Sequence, residues 1–227
     1  MVTQQYQRCI RSSLRIDARK NTRCTFRSGN THGFLDQGGA FTTIDAPGAA
    51  PGPSGGTIAN GISPSGAIVG AYGDNSGNTH GFLDQGGTFS TIDAPGADGP
   101  SGGTYANAIS SSGAIVGYFF DSSGGLHGFL DQPGAFTTID VPGAIFTLAS
   151  GISPTGAIVG AFYDSSLKRH GFVDQGGTFT TIDVPGGHST FARAISPTGA
   201  IVGNYRNPGG ISLGFLLQPA SSTLPLH

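Results

Sequence analysis

The sequence has no Glu and no Trp, a single Met and two Cys, and charged residues make up only 11% of its 227 positions. Without Glu there can be no His-Glu-x-x-His zinc helix, and any carboxylate acting as acid or base must be Asp. Good helix formers are scarce beside 40 Gly and 14 Pro, which excludes a helical protein and describes a turn-dense, all-β chain. No apolar run reaches the roughly eighteen residues of a membrane-spanning helix, so membrane insertion is not expected. Cys9 and Cys24 have no His or Cys at ligand spacing, which leaves a disulfide or two thiols as the alternatives and offers no metal site. Neither a P-loop nor a Gly-x-Ser-x-Gly elbow is present, and no cofactor is implied.

The formal net charge of −2 conceals an asymmetry, because Arg8, Arg11, Arg15, Arg19, Lys20, Arg23 and Arg27 hold most of the positive charge. Beyond them stand only Lys168, Arg169, Arg193 and Arg206 in an Asp-rich chain. The basic segment lacks interleaved aromatics, so nucleic acid is not an expected partner, whereas a protein partner stays open. Its basic residues are dispersed and no apolar segment follows them, so the start does not read as a secretory signal.

A tandem repeat of about 45 residues organises the rest. Gly-Ala-Ile-Val-Gly begins at Gly66, Gly113, Gly156 and Gly199, and Gly-Phe follows at Gly81, Gly128, Gly171 and Gly214, with an earlier copy at Gly33. Turn formers divide each unit into four short strands, a to d: Ala-x-x-Ile-Ser, Ala-Ile-Val-Gly-x-Tyr, His-Gly-Phe-Leu and Phe-Thr-Thr-Ile-Asp. Adjacent apolar pairs such as Ile68-Val69 and Phe82-Leu83 require each sheet to be covered on both faces. Four-stranded sheets stacked around an axis meet that need, so a β-propeller is the expected fold, with a strand layout similar to WD-repeat blades.

Five blades are expected, at about 13–47, 57–95, 104–142, 147–185 and 190–227, in one domain of residues 13–227 behind a tail of residues 1–12. The first blade would be degenerate: Ile16 takes the place of Ile62 and Phe26 that of Tyr72, in an a–b hairpin with a turn two residues shorter before His32, while Ser222–His227 would supply the last strand d. The alternative is four blades, in which the last a–b hairpin joins strands c and d at His32–Asp45.

Through Thr-Ile-Asp-x-Pro-Gly, Gly-Ile-Ser-Pro-x-Gly-x-Ile-Val-Gly and His-Gly-Phe-Leu, residues 31–217 resemble the HAF-type bacterial extracellular repeats, although the family's His-Ala-Phe reads His-Gly-Phe here. The resemblance implies an extracellular or cell-surface location and no established reaction.

A residue present in every copy is explained first by what every blade needs. Asp45, Asp93, Asp140 and Asp183 recur in one corner, where a carboxylate can accept N–H bonds from the turn, and Asp74, Asp121 and Asp164 read the same way. His32, His80, His127 and His170 read as packed, hydrogen-bonded residues, since neighbouring blades would hold them too far apart to share one ion.

Variation is confined to the d–a connection. Its Pro-to-Ile spacing is 15, 14, 10 and 10 over Pro47–Ile62, Pro95–Ile109, Pro142–Ile152 and Pro185–Ile195. The loops Gly48–Thr57, Gly96–Thr104, Gly143–Thr147 and Gly186–Thr190 should open on one face around the axis, where function is expected to vary. Near the start of strand a the copies carry Asn60, Asn107, Ser150 and Arg193, with Tyr105, Phe146 and Phe191 close by as candidate ligand contacts.

Amide, hydroxyl and aromatic groups of this kind suit a non-enzymatic module for carbohydrate or a surface glycoconjugate, as in five-bladed lectins of the tachylectin type. A polysaccharide hydrolase or lyase at the same face is the alternative, with Asp98 and His188 as its candidate catalytic groups, and a structural or protein-interaction repeat is another. Arg193 should pair with an Asp or with an anionic group of a ligand.

Overall fold

The computed structural model describes residues 31–52, 55–97, 102–133 and 135–219, together with the backbone of Cys24–Thr25. These residues contain eighteen strands and no helix. The first copy holds β1 (Cys24–Thr25), β2 (Thr31–Gln37) and β3 (Ala40–Ile44). The second holds β4 (Gly56–Ile62), β5 (Ile68–Gly73), β6 (Thr79–Gln85) and β7 (Thr88–Ile92). The third runs through β8 (Gly103–Ile109), β9 (Ile115–Phe120), β10 (Leu126–Gln132) and β11 (Ala135–Ile139). The fourth comprises β12 (Phe146–Ile152), β13 (Ile158–Tyr163), β14 (Arg169–Gln175) and β15 (Thr178–Ile182), and the fifth β16 (Ser189–Ile195), β17 (Ile201–Arg206) and β18 (Ser212–Leu217). Two compact units result: residues up to Ala106 with Phe119–Gly124, and Asn107–Tyr118 with Gly125 onward.

Within the first unit, β4 to β7 form an antiparallel meander in which Ile62 faces Ile68, Ala71 faces Gly81 and Gly81 faces Ile92. In the second unit β12 to β15 repeat it, with Ile152 facing Ile158 and Gly171 facing Ile182. Successive copies meet through a short parallel pair between strand c and the next strand a, Thr79 with Gly103 and Leu126 with Phe146. Strands c and the next a therefore start side by side, at the end where the b–c turns and d–a loops lie.

Both faces of strand b are covered, as the paired apolar residues require. Ile68, Ile115 and Ile158 are buried, and Val69, Val116 and Val159 are 0% exposed. Each core joins one copy to the next: Ile44 and Ala46 of the first copy pack with Ala59, Ile68 and Phe82 of the second. In the second unit, Val159 and Ile182 pack with Ala192 and Ile201 of the following copy. Burying one such Phe or Ile contributes about 1.5–3 kcal/mol. In the fifth copy Ile201 is buried but Val202 is 45% exposed, and among the described residues β18 has no strand on its outer side.

The register of β1 corrects the expected equivalence at the first copy. Cys24 pairs with His32 and Thr25 with Thr31, as Tyr72 pairs with His80 and Gly73 with Thr79, so the place of Tyr72 is taken by Cys24 and not by Phe26. The b–c turn has the same length in both copies, because Thr25 to Thr31 spans as many residues as Gly73 to Thr79. The other expectations at the ends, the Ile16 strand, the residue 1–12 tail, Ser222–His227 and a Cys9–Cys24 disulfide, lie outside the described residues or side chains. The hairpin of β16 and β17 has β18 as its strand c, where the four-blade alternative would place β2.

Two backbone positions show how tightly the repeat constrains its sequence. A Cβ on Gly160 would run into the Leu148 carbonyl oxygen and come within 2.8 Å of Phe172 Cε1, and Gly70 is confined in the same way by Ile58 and Phe82. The second Gly of Gly-Ala-Ile-Val-Gly thus makes room for the buried Phe of Gly-Phe. In the b–c turn, Gly77, Gly124 and Gly210 take positive φ, but the fourth copy places Leu167 there at φ 64°, with a 65% exposed side chain.

Gly160→Ala is therefore expected to cost about 3 kcal/mol, the upper range for overpacking, in urea unfolding. Leu167→Gly should instead stabilise by about 0.5–1 kcal/mol, because relief of left-handed strain exceeds the entropic cost of Gly.

Candidate functional site

The end of each copy where strands a and c begin is organised by repeated hydrogen bonds. At the first residue after each corner Asp, the backbone N–H donates to a buried Thr hydroxyl at the start of the next strand a. The pairs are Ala46 to Thr57 at 2.8 Å, Ala94 to Thr104 at 2.9 Å, Val141 to Thr147 at 3.1 Å and Val184 to Thr190 at 3.2 Å. These anchors are 11, 10, 6 and 6 residues apart, so the length variation of the d–a loop is absorbed between two fixed points.

The corner carboxylates have another partner than the one expected. Asp45, Asp93, Asp140 and Asp183 meet the Nδ1 atoms of His32, His80, His127 and His170 at 2.6–3.0 Å, always thirteen residues apart. The turn N–H that was expected to bind the carboxylate goes to the Thr hydroxyl, and the Asp is left for the imidazole. His80 Nε2 also lies 3.4 Å from Asp74 Oδ2, and His170 Nε2 lies 3.2 Å from Asp164 Oδ2, so these rings bridge strand d to the b–c turn. Asp74, Asp121 and Asp164 meanwhile accept turn N–H bonds from Ser76, Ser123 and Ser166, as the sequence implies. Ring packing completes the arrangement, with Tyr72 on His80 at 5.2 Å and Phe162 on His170 at 5.1 Å.

These contacts set the titration of the second copy. Burial disfavours the charged His80 ring, but its bonds and attraction to Asp93 and then Asp74 outweigh that and raise its pKa above the ordinary 6.5. For Asp74 burial acts to raise the pKa, and hydrogen bonds from the Asn78 backbone, His80, the Asn78 side chain and the Ser76 backbone bring it below the usual 3.8. At Asp164 the Ser166 hydroxyl is the largest influence; with Lys168 N–H and His170 it overcomes burial and holds the carboxyl well below the carboxylate range.

Three of the variable positions share a backbone feature that the sequence does not reveal. The a–b register slips between Ala59 and Gly61, Ala149 and Gly151, and Ala192 and Ala194, so Asn60, Ser150 and Arg193 are bulge residues. Asn107 occupies the same place in the third copy, and each of the four stands fifth of seven residues in strand a, nearer the a–b turn than the strand start where they were expected. A bulge frees its residue from strand alternation and re-aims the side chain. Asn60 uses this freedom to donate from Nδ2 to the Ala106 carbonyl at 2.9 Å, and Asn107 to donate to that of Ala149 at 2.8 Å, so both tie one strand a to the next.

The aromatic candidates divide among the copies. Tyr105 donates its hydroxyl to Thr79 Oγ1 at 3.4 Å and packs edge-on against Phe120. Phe146 packs edge-on against Tyr163 at 6.1 Å, and Ser150 is half-buried. Phe191 and Arg193 come together: the guanidinium lies over the ring at 4.3 Å and its Nε donates to Asn204 Oδ1 at 2.9 Å. Arg193 thus meets a ring and an amide of its own copy. His188 is exposed, its backbone N–H donating to the Arg206 carbonyl at 2.7 Å, and Asp98 lies outside the described residues.

No family model and no curated protein matches the chain. Among solved structures it is similar to a fungal lectin from Aleuria aurantia, a six-bladed β-propeller described by its fucose recognition mode. The match has a TM-score of 0.55 at 15% identity over 86% of this chain and 68% of the lectin. AofleA from Arthrobotrys oligospora matches with a TM-score of 0.52 at 15% identity, over 86% of this chain and 64% of its own. At such identities the likeness concerns the fold, which is of the β-propeller class.

The His80 contacts lead to a test by NMR. A raised pKa in the folded chain means that the pair's stabilisation is fully present below pH 6.5 and is lost as pH rises through the raised value. The ring protons of His80 should therefore titrate above 6.5, and Asp93→Asn should bring the midpoint down. A midpoint unmoved by Asp93→Asn would show that the contact does not hold in solution.

Proposed function

We propose that this chain is a carbohydrate-binding module that takes its ligand at the end where the d–a loops and b–c turns meet. The observation that carries the reading is the likeness of 86% of the chain to the propeller of a fungal lectin that recognises fucose. The layout of the site supports it. The repeated Thr, His and Asp groups are consumed in holding the corners together, while the loops and the bulge positions differ from copy to copy. Tyr105, Phe146, Ser150, Phe191 and Arg193 are the ligand contacts in this reading, with aromatic faces for the C–H side of a sugar ring and polar groups for its hydroxyls. Asn60 and Asn107 contribute through their remaining amide oxygens, since their Nδ2 atoms are engaged.

Five blades belong to the same proposal, supported by β1 standing before β2 as a strand b and by β18 standing after β17 as a strand c. An extracellular or cell-surface location is supported by the resemblance to HAF-type repeats.

A glycan array carrying fucosylated, other neutral and acidic glycans should give hits for the full chain above background. Absence of any hit across the three classes would overturn the reading.

A further inference from the structure

Four cationic residues lie beyond residue 27, and all of them fall between positions 168 and 206: Lys168, Arg169, Arg193 and Arg206. The fold brings two of them onto one ring and sets a third on the same side of the sheet. Arg169, at the start of β14, puts its guanidinium 5.2 Å from the centre of the Phe191 ring, and Arg193 stands over the same ring at 4.3 Å. In the β16–β17 hairpin Phe191 faces Asn204 and Ser189 faces Arg206. Strand alternation then puts Phe191, Asn204 and Arg206 on one side, the side to which Arg193 is tied by its bond to Asn204.

The corresponding residues elsewhere are uncharged. Arg169 replaces Thr79 and Leu126, Arg193 replaces Asn60, Asn107 and Ser150, and Arg206 replaces Gly73, Phe120 and Tyr163. Two guanidinium groups on one ring repel each other. Asp164 and Asp183 are both held on His170, and among the described residues no carboxylate pairs with Lys168, Arg169 or Arg206. The Nε of Arg169 is buried without a hydrogen-bond partner, a donor on a cation that an incoming anion could help to satisfy electrostatically.

We propose that Arg169, Phe191, Arg193 and Asn204 form a binding site for an anionic sugar, one bearing a carboxylate or a sulfate group. A guanidinium fork matches either group, the Phe191 ring holds the two guanidinium groups together, and the Asn204 amide, whose oxygen orients Arg193, keeps its N–H donors for a hydroxyl. This deepens the carbohydrate reading and rests on it, adding a charge preference confined to the fifth copy and the end of the fourth.

The test is titration calorimetry of the full chain with polygalacturonate for carboxylate, dextran sulfate for sulfate, dextran as the neutral control and single-stranded DNA as a non-sugar polyanion. Binding to at least one anionic polysaccharide is expected, with none to dextran. Arg169→Ala and Arg193→Ala should each weaken it about tenfold or more, the usual loss for a charge-assisted hydrogen bond. Arg169→Lys, which keeps the charge but loses the planar fork, should restore only part. Arg193 is exposed, so its variant keeps the fold intact, and the thermal transition of each variant checks this.

Anionic binding that survives the double Arg169→Ala, Arg193→Ala change belongs to the basic N-terminal residues and overturns the site. DNA bound as tightly, with the same sensitivity to both changes, overturns its sugar class. Neutral glycans bound on the array with no anionic polysaccharide bound would defeat this inference alone. No glycan of any kind bound, with inorganic sulfate still held through Arg169, would defeat the carbohydrate reading and the sugar class with it.

Discussion

The structure depends on one hydrogen bond made four times and buried in three of them, from the backbone N–H after each corner Asp to the Thr hydroxyl that opens the next strand a. It joins the end of one copy to the beginning of the next and satisfies a backbone donor that would cost about 1–3 kcal/mol if buried alone. Because both ends of the d–a connection are pinned, the chain between them can lengthen from six to eleven residues without moving the strands. The loops are free to differ because the corner is not.

A second repeated contact follows from the first. Once the corner N–H is taken by Thr, the Asp carboxylate turns to the imidazole at the start of strand c, and strands c, d and the next a are fastened within a few residues of one another. In the second and fourth copies the other ring nitrogen reaches the b–c turn as well. The recurrent His and Asp are therefore the fastening of the fold, while the bulge residues and their aromatic neighbours are where the copies differ.

Much of this was legible in the sequence. Periodic Gly-Ala-Ile-Val-Gly marked four of the five strands b, missing β1, while paired Ile-Val foretold burial on both faces and the constant His and Asp marked structural positions. The His-to-Asp partnership was present as an invariant spacing, yet a spacing does not say which of two available donors a carboxylate chooses. Thr57, Thr104, Thr147 and Thr190 also recur in every copy, but a Thr at a strand start is explained equally well by β propensity. The bulges left no trace, because an extra residue in a strand of ordinary composition changes the register and not the pattern. At the first copy, matching Phe26 to Tyr72 by aromatic character failed because Cys24 holds that register position. The grouping of Arg169 with Arg193 arises between strands of different copies, which linear spacing cannot show.

Val202 carries a consequence for how the molecule comes apart. In a chain of stacked copies, stability is close to a sum of each unit's own folding energy and its coupling to its neighbours. Val69, Val116 and Val159 are sealed on both sides, whereas Val202 has part of its surface open to water, so at this position the fifth copy gains less burial energy than the second, third and fourth. Of these four copies the fifth is the one that opens at least cost from this position, and its release leaves Val159 and Ile182 of the fourth without the neighbour they pack against. An occupant bridging Arg169 on the fourth copy and Arg193 on the fifth would act as a clasp between the two.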